Sequence, residues 1–339
     1  MATIVAVRSG NWSDTSHVTG PWPGASTPTT KPGVDDTVQS GAFIVTIDED
    51  VTVALIESTA SGYFVVTSAP ALPAIRTITA NILNSGTAGY ALLISNPTGE
   101  IALTGNVTGG EGDGAYGIYN DNGTMGDVIG DVTGGEGYGA YGIYNDNGTM
   151  GDVTGNVTGG AGVYAYAIAN IDGTIGDITG DQTGGAGASA WAIYNNGGTI
   201  GDITGSQTGG AGVTAWAIYN NGNGTIGDIT GDQTGGAGVN AYAIYNDGTI
   251  GDIDGSLICG PSGLFPIYGP FKLVANSSNS IVVRTPNGEP WTLSNDYPAE
   301  ADVKSGVEYN RGTQTGELAA GGSIGPVSIV IGGGGIRIS

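Results

Sequence analysis

Histidine and cysteine are nearly missing from this chain, which holds one of each, His17 and Cys259, in 339 residues. That count excludes a multi-histidine metal centre and a disulfide framework, and a Ser-His-Asp or Cys-His arrangement would rest on His17 alone. His17 sits in a polar stretch and reads as a surface residue; Cys259 reads as a small buried apolar side chain. Basic residues are scarce too, with 8 Lys+Arg against 31 Asp+Glu, a net charge of −23, and none between Arg76 and Lys272. Such a chain repels phosphate backbones and anionic lipid, so neither nucleic acid nor membrane is an expected partner. No apolar run reaches the ~18 residues of a bilayer span. The opening Met1 to Gly10 lacks a basic segment followed by an apolar one, so synthesis and retention in a cytoplasm, without a Sec-type signal, is the expectation.

Charged residues are only 12% of the chain, glycines number 66, and 39% of residues are hydrophobic. Glycine at that density is too costly in helices, and the apolar content is too high for disorder. An ordered all-β protein remains.

Its organisation is a repeat. Gly-Gly pairs begin at 109, 134, 159, 184, 209 and 235, and Gly-Thr-x-Gly-Asp follows at Gly123, Gly148, Gly173, Gly198, Gly224 and Gly248. A period of about 25 residues, with one extra residue at Asn223 absorbed at once in a loop, is the signature of a solenoid. A weaker copy with Asn81, Tyr90 and Asn96 precedes these. The prediction is a single-stranded right-handed β-solenoid of about seven coils over residues 81–258, with an N-terminal β cap at 1–80. A small β-domain at 259–300 and terminal strands at 301–339 complete the chain. Three short strands per coil suit a three-sided coil, and at about 4.8 Å per coil the rod is roughly 34 Å long.

Alternation along Ala-Tyr/Trp-Ala/Gly-Ile-Tyr-Asn divides the first strand into two faces. Tyr116, Tyr141, Tyr166, Trp191, Trp216 and Tyr242, with Ile118, Ile143, Ile168, Ile193, Ile218 and Ile244, are expected inside. Asn120, Asn145, Asn170, Asn195, Asn220 and Asn246 are expected to form an amide ladder at the corner. Outside, Tyr119, Tyr144, Tyr194, Tyr219 and Tyr245 would form a stripe flanked by Ala and Gly, suited to a subunit interface or a glycan contact.

Asp127, Asp152, Asp177, Asp202, Asp228 and Asp252 recur once per coil. Like charges about 4.8 Å apart must be solvated or share a cation, with calcium the weaker reading. Gly109-Gly-Glu-Gly-Asp113 superficially matches the calcium-binding nonapeptide solenoid, but position 114 is Gly and the period is wrong. Paired-carboxylate chemistry on carbohydrate would need a break in the repeat that adds a clustered acid pair. The breaks present, Ala169, Ile171-Asp172 and Asn223, add none. No enzyme activity and no cofactor are expected.

The ends carry a resemblance. Ser9-Gly-Asn-Trp-Ser-Asp14, the prolines Pro21, Pro23, Pro28 and Pro32, Asp35-Asp-Thr-Val38 and Phe43-Ile-Val-Thr-Ile-Asp48 together resemble the openings of β-helical structural proteins of tailed bacteriophages and of some bacterial surface proteins. His17-Val-Thr stands where a second Trp is often found. Ala301-Asp-Val-Lys-Ser-Gly-Val-Glu-Tyr-Asn310 with Gly312-Thr-Gln-Thr-Gly-Glu-Leu318 looks like a short module of phage virion and fibre proteins. The resemblance implies a non-enzymatic virion component, a homotrimeric spike or fibre on head or tail, attached to the particle by one end, with the cap at 1–80 as the expected attachment region. Its partners would be itself, other virion proteins and host surface carbohydrate. A tailspike polysaccharide depolymerase and a bacterial surface adhesin are the alternatives.

Overall fold

The computed structural model describes residues 3–6, 8–13, 32–67, 75–95 and 100–260, together with the backbone of short strands between 267 and 338. His17, the proline-rich loop and residues 96–99 lie outside the described residues, as do most of 259–339 and all of the side chains beyond 260. Among the described residues every element is a strand.

Each regular turn holds four short strands where three were expected. One turn comprises Ile143–Asp146, Thr149–Met150, Val153–Thr154 and Val157–Thr158. All four pair in parallel with the next turn: Ile143 with Ile168, Thr149 with Thr174, Val153 with Ile178 and Val157 with Gln182. The segments nevertheless make three walls, sheets of eleven, six and twenty strands. The last two segments share the largest sheet because both descend from one long strand, Ile75–Asn84. In later turns that strand is split by a glycine in a left-handed conformation, as at Gly130 with φ 140°. A Cβ there would strike the carbonyl oxygen of Gly105 one turn earlier, so the split tolerates only glycine.

Parallel pairing also runs upstream of residue 81. Thr3–Val5, Thr37–Gln39, Val51–Ser58 and Ile75–Asn84 are successive rungs of one wall. Gly10–Asn11, Ile44–Thr46, Tyr63–Thr67 and Tyr90–Ser95 are rungs of another. The described part of the expected cap is therefore the irregular beginning of the same stack. Large rings enter the core here, where Trp12 and Phe64 lie 6.3 Å apart and are buried. Beyond the last regular turn, Leu257–Ile258 pairs in parallel with Ile281–Arg284, which turns back antiparallel on Pro290–Leu293. Antiparallel pairs Glu308–Tyr309 with Gln314–Thr315, and Ile329–Gly332 with Gly335–Ile338, follow.

Inside the regular turns the core is a set of columns. Ile118, Ile143, Ile168, Ile193, Ile218 and Ile244 are fully buried, as are Asn120, Asn145, Asn170, Asn195 and Asn220, with Asn246 nearly so. Met125, Met150, Ile175, Ile200 and Ile226 fill the second wall, and Val128, Val153, Ile178, Ile203 and Ile229 the third.

The aromatic column Tyr116, Tyr141, Tyr166, Trp191, Trp216 and Tyr242 is a correction, because these rings stand outside the barrel. Strict alternation from Ile143 would place Tyr141 inside, but Gly142 and Ile143 both turn inward, as do Ala167 with Ile168 and Ala192 with Ile193. Two consecutive inward residues reverse the parity, in the manner of a bulge. The inner position accepts nothing large: a Cβ on Gly142 would already lie 2.6 Å from Val157 Cγ1. Ala115, Ala140, Ala165, Ala190, Ala215 and Ala241 are likewise fully buried, so they do not flank the outer tyrosines as expected.

Candidate functional site

With both aromatic sets outside, the wall carries a double ladder. In the first column Tyr116, Tyr141, Tyr166, Trp191 and Trp216 stack with centroid separations of 5.1, 4.9, 4.5 and 4.9 Å and interplanar angles of 10° or less. Tyr242 closes it at 5.8 Å and 50°. The second column stacks Tyr119 on Tyr144 at 5.2 Å, is interrupted at Ala169, and resumes with Tyr194, Tyr219 and Tyr245 at 5.4 and 4.6 Å. Contacts across the columns, such as Tyr116 with Tyr144 at 5.2 Å and Trp216 with Tyr219 at 4.7 Å, fuse them into one surface. Tyr90 and Tyr63 extend it upward.

This stacking limits what the surface can bind. Rings parallel at the turn spacing cover one another's faces and leave edges and hydroxyls to solvent. A pyranose seeking a π face finds none along the first column. The ladder instead behaves as an external second core, in which offset-stacked pairs contribute about 0.5–1.5 kcal/mol each beyond their area.

Its electrostatics match that role. Burial raises the phenol pKa of Tyr141, Tyr144 and Tyr166 well above the ordinary value, with neighbouring phenols adding to the effect. Tyr119 is pushed up to about 12, by burial first and then by Asp121 and Asp146. Tyr166 is the most enclosed of the set, at 4% exposure, because Tyr164 and Tyr194 pack on its edges where Ala169 leaves the second column open.

The asparagine ladder is complete. Each Nδ2 donates to the next Oδ1 at 2.7, 2.8, 2.9, 2.8 and 2.8 Å from Asn120 through Asn246. Each also donates to a glycine carbonyl of its own turn, as Asn170 does to Gly173 at 3.1 Å. Above Asn120 the column continues as Ile94, so the Asn120 Oδ1 is buried without a donor. Sequence reasoning missed a second amide ladder. Gln207 Nε2 donates to Gln182 Oε1 at 3.0 Å and Gln233 Nε2 to Gln207 Oε1 at 3.1 Å, leaving the Gln233 Oε1 unpaired above Leu257. The signal was present as Gln-Thr at a fixed place in three successive repeats, at Gln182, Gln207 and Gln233. The two ladders point in opposite directions along the rod.

The aspartate column needs no cation to hold its geometry. Each carboxylate accepts the backbone N–H of the next aspartate: Asp152 to Asp127 at 3.0 Å, Asp177 to Asp152 at 2.8 Å, Asp202 to Asp177 at 2.9 Å, and Asp228 to Asp202 and Asp252 to Asp228 at 2.8 Å. Among the described residues no three acidic, histidine or cysteine side chains converge as a metal site would require. One corner further on, a similar column alternates: Asn106, Asp131, Asn156, Asp181, Ser206, Asp232, Ser256. Its Asn and Asp side chains accept backbone N–H groups in the same way, from Asp131 onto Asn106 at 2.9 Å and from Ser206 onto Asp181 at 2.8 Å. Spacing the acids two turns apart doubles their separation.

Fold and ladders together define a parallel β-solenoid whose recurring amides and carboxylates bond between neighbouring turns. Comparison with protein-family models, with curated proteins and with solved structures finds no match to this chain.

Proposed function

We propose that the protein is a non-enzymatic structural component of a tailed-phage particle, a β-helical spike or fibre subunit displayed on head or tail. What carries the reading is the regularity of the stack. The recurring amides and carboxylates bond to the turn beside them, and the acids that depart from the pattern, Glu111, Asp113 and Glu136, stand exposed on the surface. A scaffold or display rod calls for such a design, and a catalyst needs one singular place. The resemblances at residues 9–48 and 301–318 supply the particle. Contact with host surface carbohydrate would fall to hydroxyls and edges of the aromatic ladder or to its ends, since the ring faces are occupied.

Peptide mass spectrometry of purified particles, with cryo-electron microscopy to locate the density, tests the reading. The chain should be present in stoichiometric copies as a rod. Absence from particles of a phage that encodes it, or shortening of capsular or lipopolysaccharide chains by the purified protein, would refute it.

A further inference from the structure

Two tyrosines belong to no column of the repeat, and they meet. Tyr138 stands where the other turns carry Asp113, Val163, Ala188, Val213 and Val239, and Tyr164 where they carry Gly114, Gly139, Ser189, Thr214 and Asn240. The two positions are one step out of register, since the rung partner of Tyr164 is Gly139. The Tyr164 N–H donates to the Tyr138 carbonyl at 2.9 Å, which fixes the two backbones side by side. Their rings close edge to face, with centroids 5.1 Å apart and an interplanar angle of 80°. The hydroxyl ends approach as well: hydrogen bonding to Tyr164, and then Coulombic repulsion from it, hold the Tyr138 phenol above its ordinary pKa.

Surroundings separate this pair from the other tyrosines. Tyr138 is 57% exposed, so a reagent in solution reaches it and its ring has room to turn. Ladder rings have no such room. Tyr141, for example, is clamped between Tyr116 and Tyr166 within 10° of parallel, so that neighbouring rings present faces to each other and their edges cannot meet. Tyr63 and Tyr90, at 5.0 Å and 86°, share the edge-to-face geometry, but Tyr90 is held on its other side by Tyr119 and both rings are half-buried.

We propose that Tyr138 and Tyr164 are the site of an oxidative cross-link, a carbon–carbon bond between the two rings made by a peroxidase-type oxidant with hydrogen peroxide. Each phenol gives up one electron and its hydroxyl proton and becomes a phenoxyl radical, whose unpaired electron is shared with the carbons ortho to the oxygen. One ortho carbon of each ring joins the other, and the hydrogen on each of those carbons moves to the ring's oxygen, which restores two phenols. The pair loses two hydrogen atoms in all, and one hydrogen peroxide is reduced to two waters. Approach of the hydroxyl ends favours this joint, because each ortho carbon is bonded to the carbon that bears the oxygen. The product staples two successive turns at their corner and, as a disulfide does, removes freedom from the unfolded chain. None of this depends on the spike reading, since purified soluble protein suffices to observe it.

The full chain at high dilution, treated with a haem peroxidase and hydrogen peroxide, should remain a single chain on a denaturing gel, lose two hydrogen atoms by intact mass and acquire dityrosine fluorescence. No Lys or Arg lies between Arg76 and Lys272, so cleavage at aspartate replaces trypsin, and the fragments bearing Tyr138 and Tyr164 should be found joined. Tyr138→Phe and Tyr164→Phe should each abolish the product with unchanged far-UV circular dichroism; Tyr138→Phe, at the exposed position, carries the test if Tyr164→Phe misfolds. Tyr63→Phe should leave the product intact. Absence of an intramolecular product from the unaltered chain, under conditions that couple free tyrosine, overturns the inference. So does a product that survives Tyr138→Phe, or one whose joined fragments carry Tyr63 and Tyr90 or two ladder tyrosines instead.

Discussion

Replacing one asparagine of the buried ladder by leucine should cost very different amounts depending on its rung. In the interior, Asn170→Leu removes the donor to the Asn195 Oδ1, which is fully buried and has no other donor at that site. The Asn145 Nδ2 loses one acceptor but keeps the Gly148 carbonyl at 3.0 Å. The Gly173 carbonyl keeps the N–H of Thr199 at 2.8 Å. The net change is one new orphaned oxygen, beside the one already present on Asn120. At the top rung, Asn120→Leu deletes that orphan and creates another on Asn145, so their number stays the same. A buried unsatisfied acceptor costs about 1–3 kcal/mol, and Asn170→Leu should be less stable than Asn120→Leu by that amount. Urea unfolding followed by far-UV circular dichroism measures the difference as a lower midpoint at unchanged slope. Equal losses for the two variants, or a larger loss for Asn120→Leu, would refute the idea that satisfaction propagates along the column.

Other outcomes follow from the same ladders. Gln182→Val should be close to neutral, because Gln207 Nε2 keeps the Gly205 carbonyl at 2.8 Å and Val157 already occupies the preceding rung; a loss above about 1 kcal/mol in the same urea assay would contradict this. Asp177→Asn retains an acceptor for the Asp202 N–H and removes repulsion from two neighbours, each about 0.9 kcal/mol at 4.8 Å in water. The gain, roughly 1 kcal/mol or more at low salt, should fade toward molar salt, and a gain independent of salt would exclude repulsion as its source. The ladder phenols have folded pKa values above the unfolded value of about 10. Their contribution to stability is therefore complete below pH ~10 and is lost as pH rises through the folded values, which for Tyr119 means about 12. Absorbance titration at alkaline pH should show phenols ionising together with unfolding; all tyrosines titrating near pH 10 with the fold intact would contradict the burial assigned to them.

The period and its inward aliphatic and amide residues were legible in the sequence because each recurs with its neighbours at constant spacing, and stacking makes recurrence equivalent to contact. Ile143 and Asn145 obey period 2, so their faces could be read. Tyr141 could not, since the reversal depends on the next position turning inward into space that holds no more than a methyl group, Gly142 beside Val157 and Ala167 or Ala192 in later turns. The glycine-split wall was hidden for a related reason: a Gly-Asp or Gly-Asn step marks a corner in sequence, yet Gly130 bends one sheet without ending it. Upstream of residue 81 the turns differ in length, so no period announces them, and only parallel pairing from Thr3 onward shows that they belong to the stack.

The amide ladder has a further consequence for how such a molecule changes over time. An extra copy of the repeat inserted between Asn120 and Asn246 brings its own donor and its own acceptor, so it lengthens the rod by one rung and leaves the number of unsatisfied groups as before. Length can therefore drift in whole-repeat steps through recombination among near-identical segments, with both termini unchanged. The chain is in effect an adjustable spacer whose reach is set by copy number.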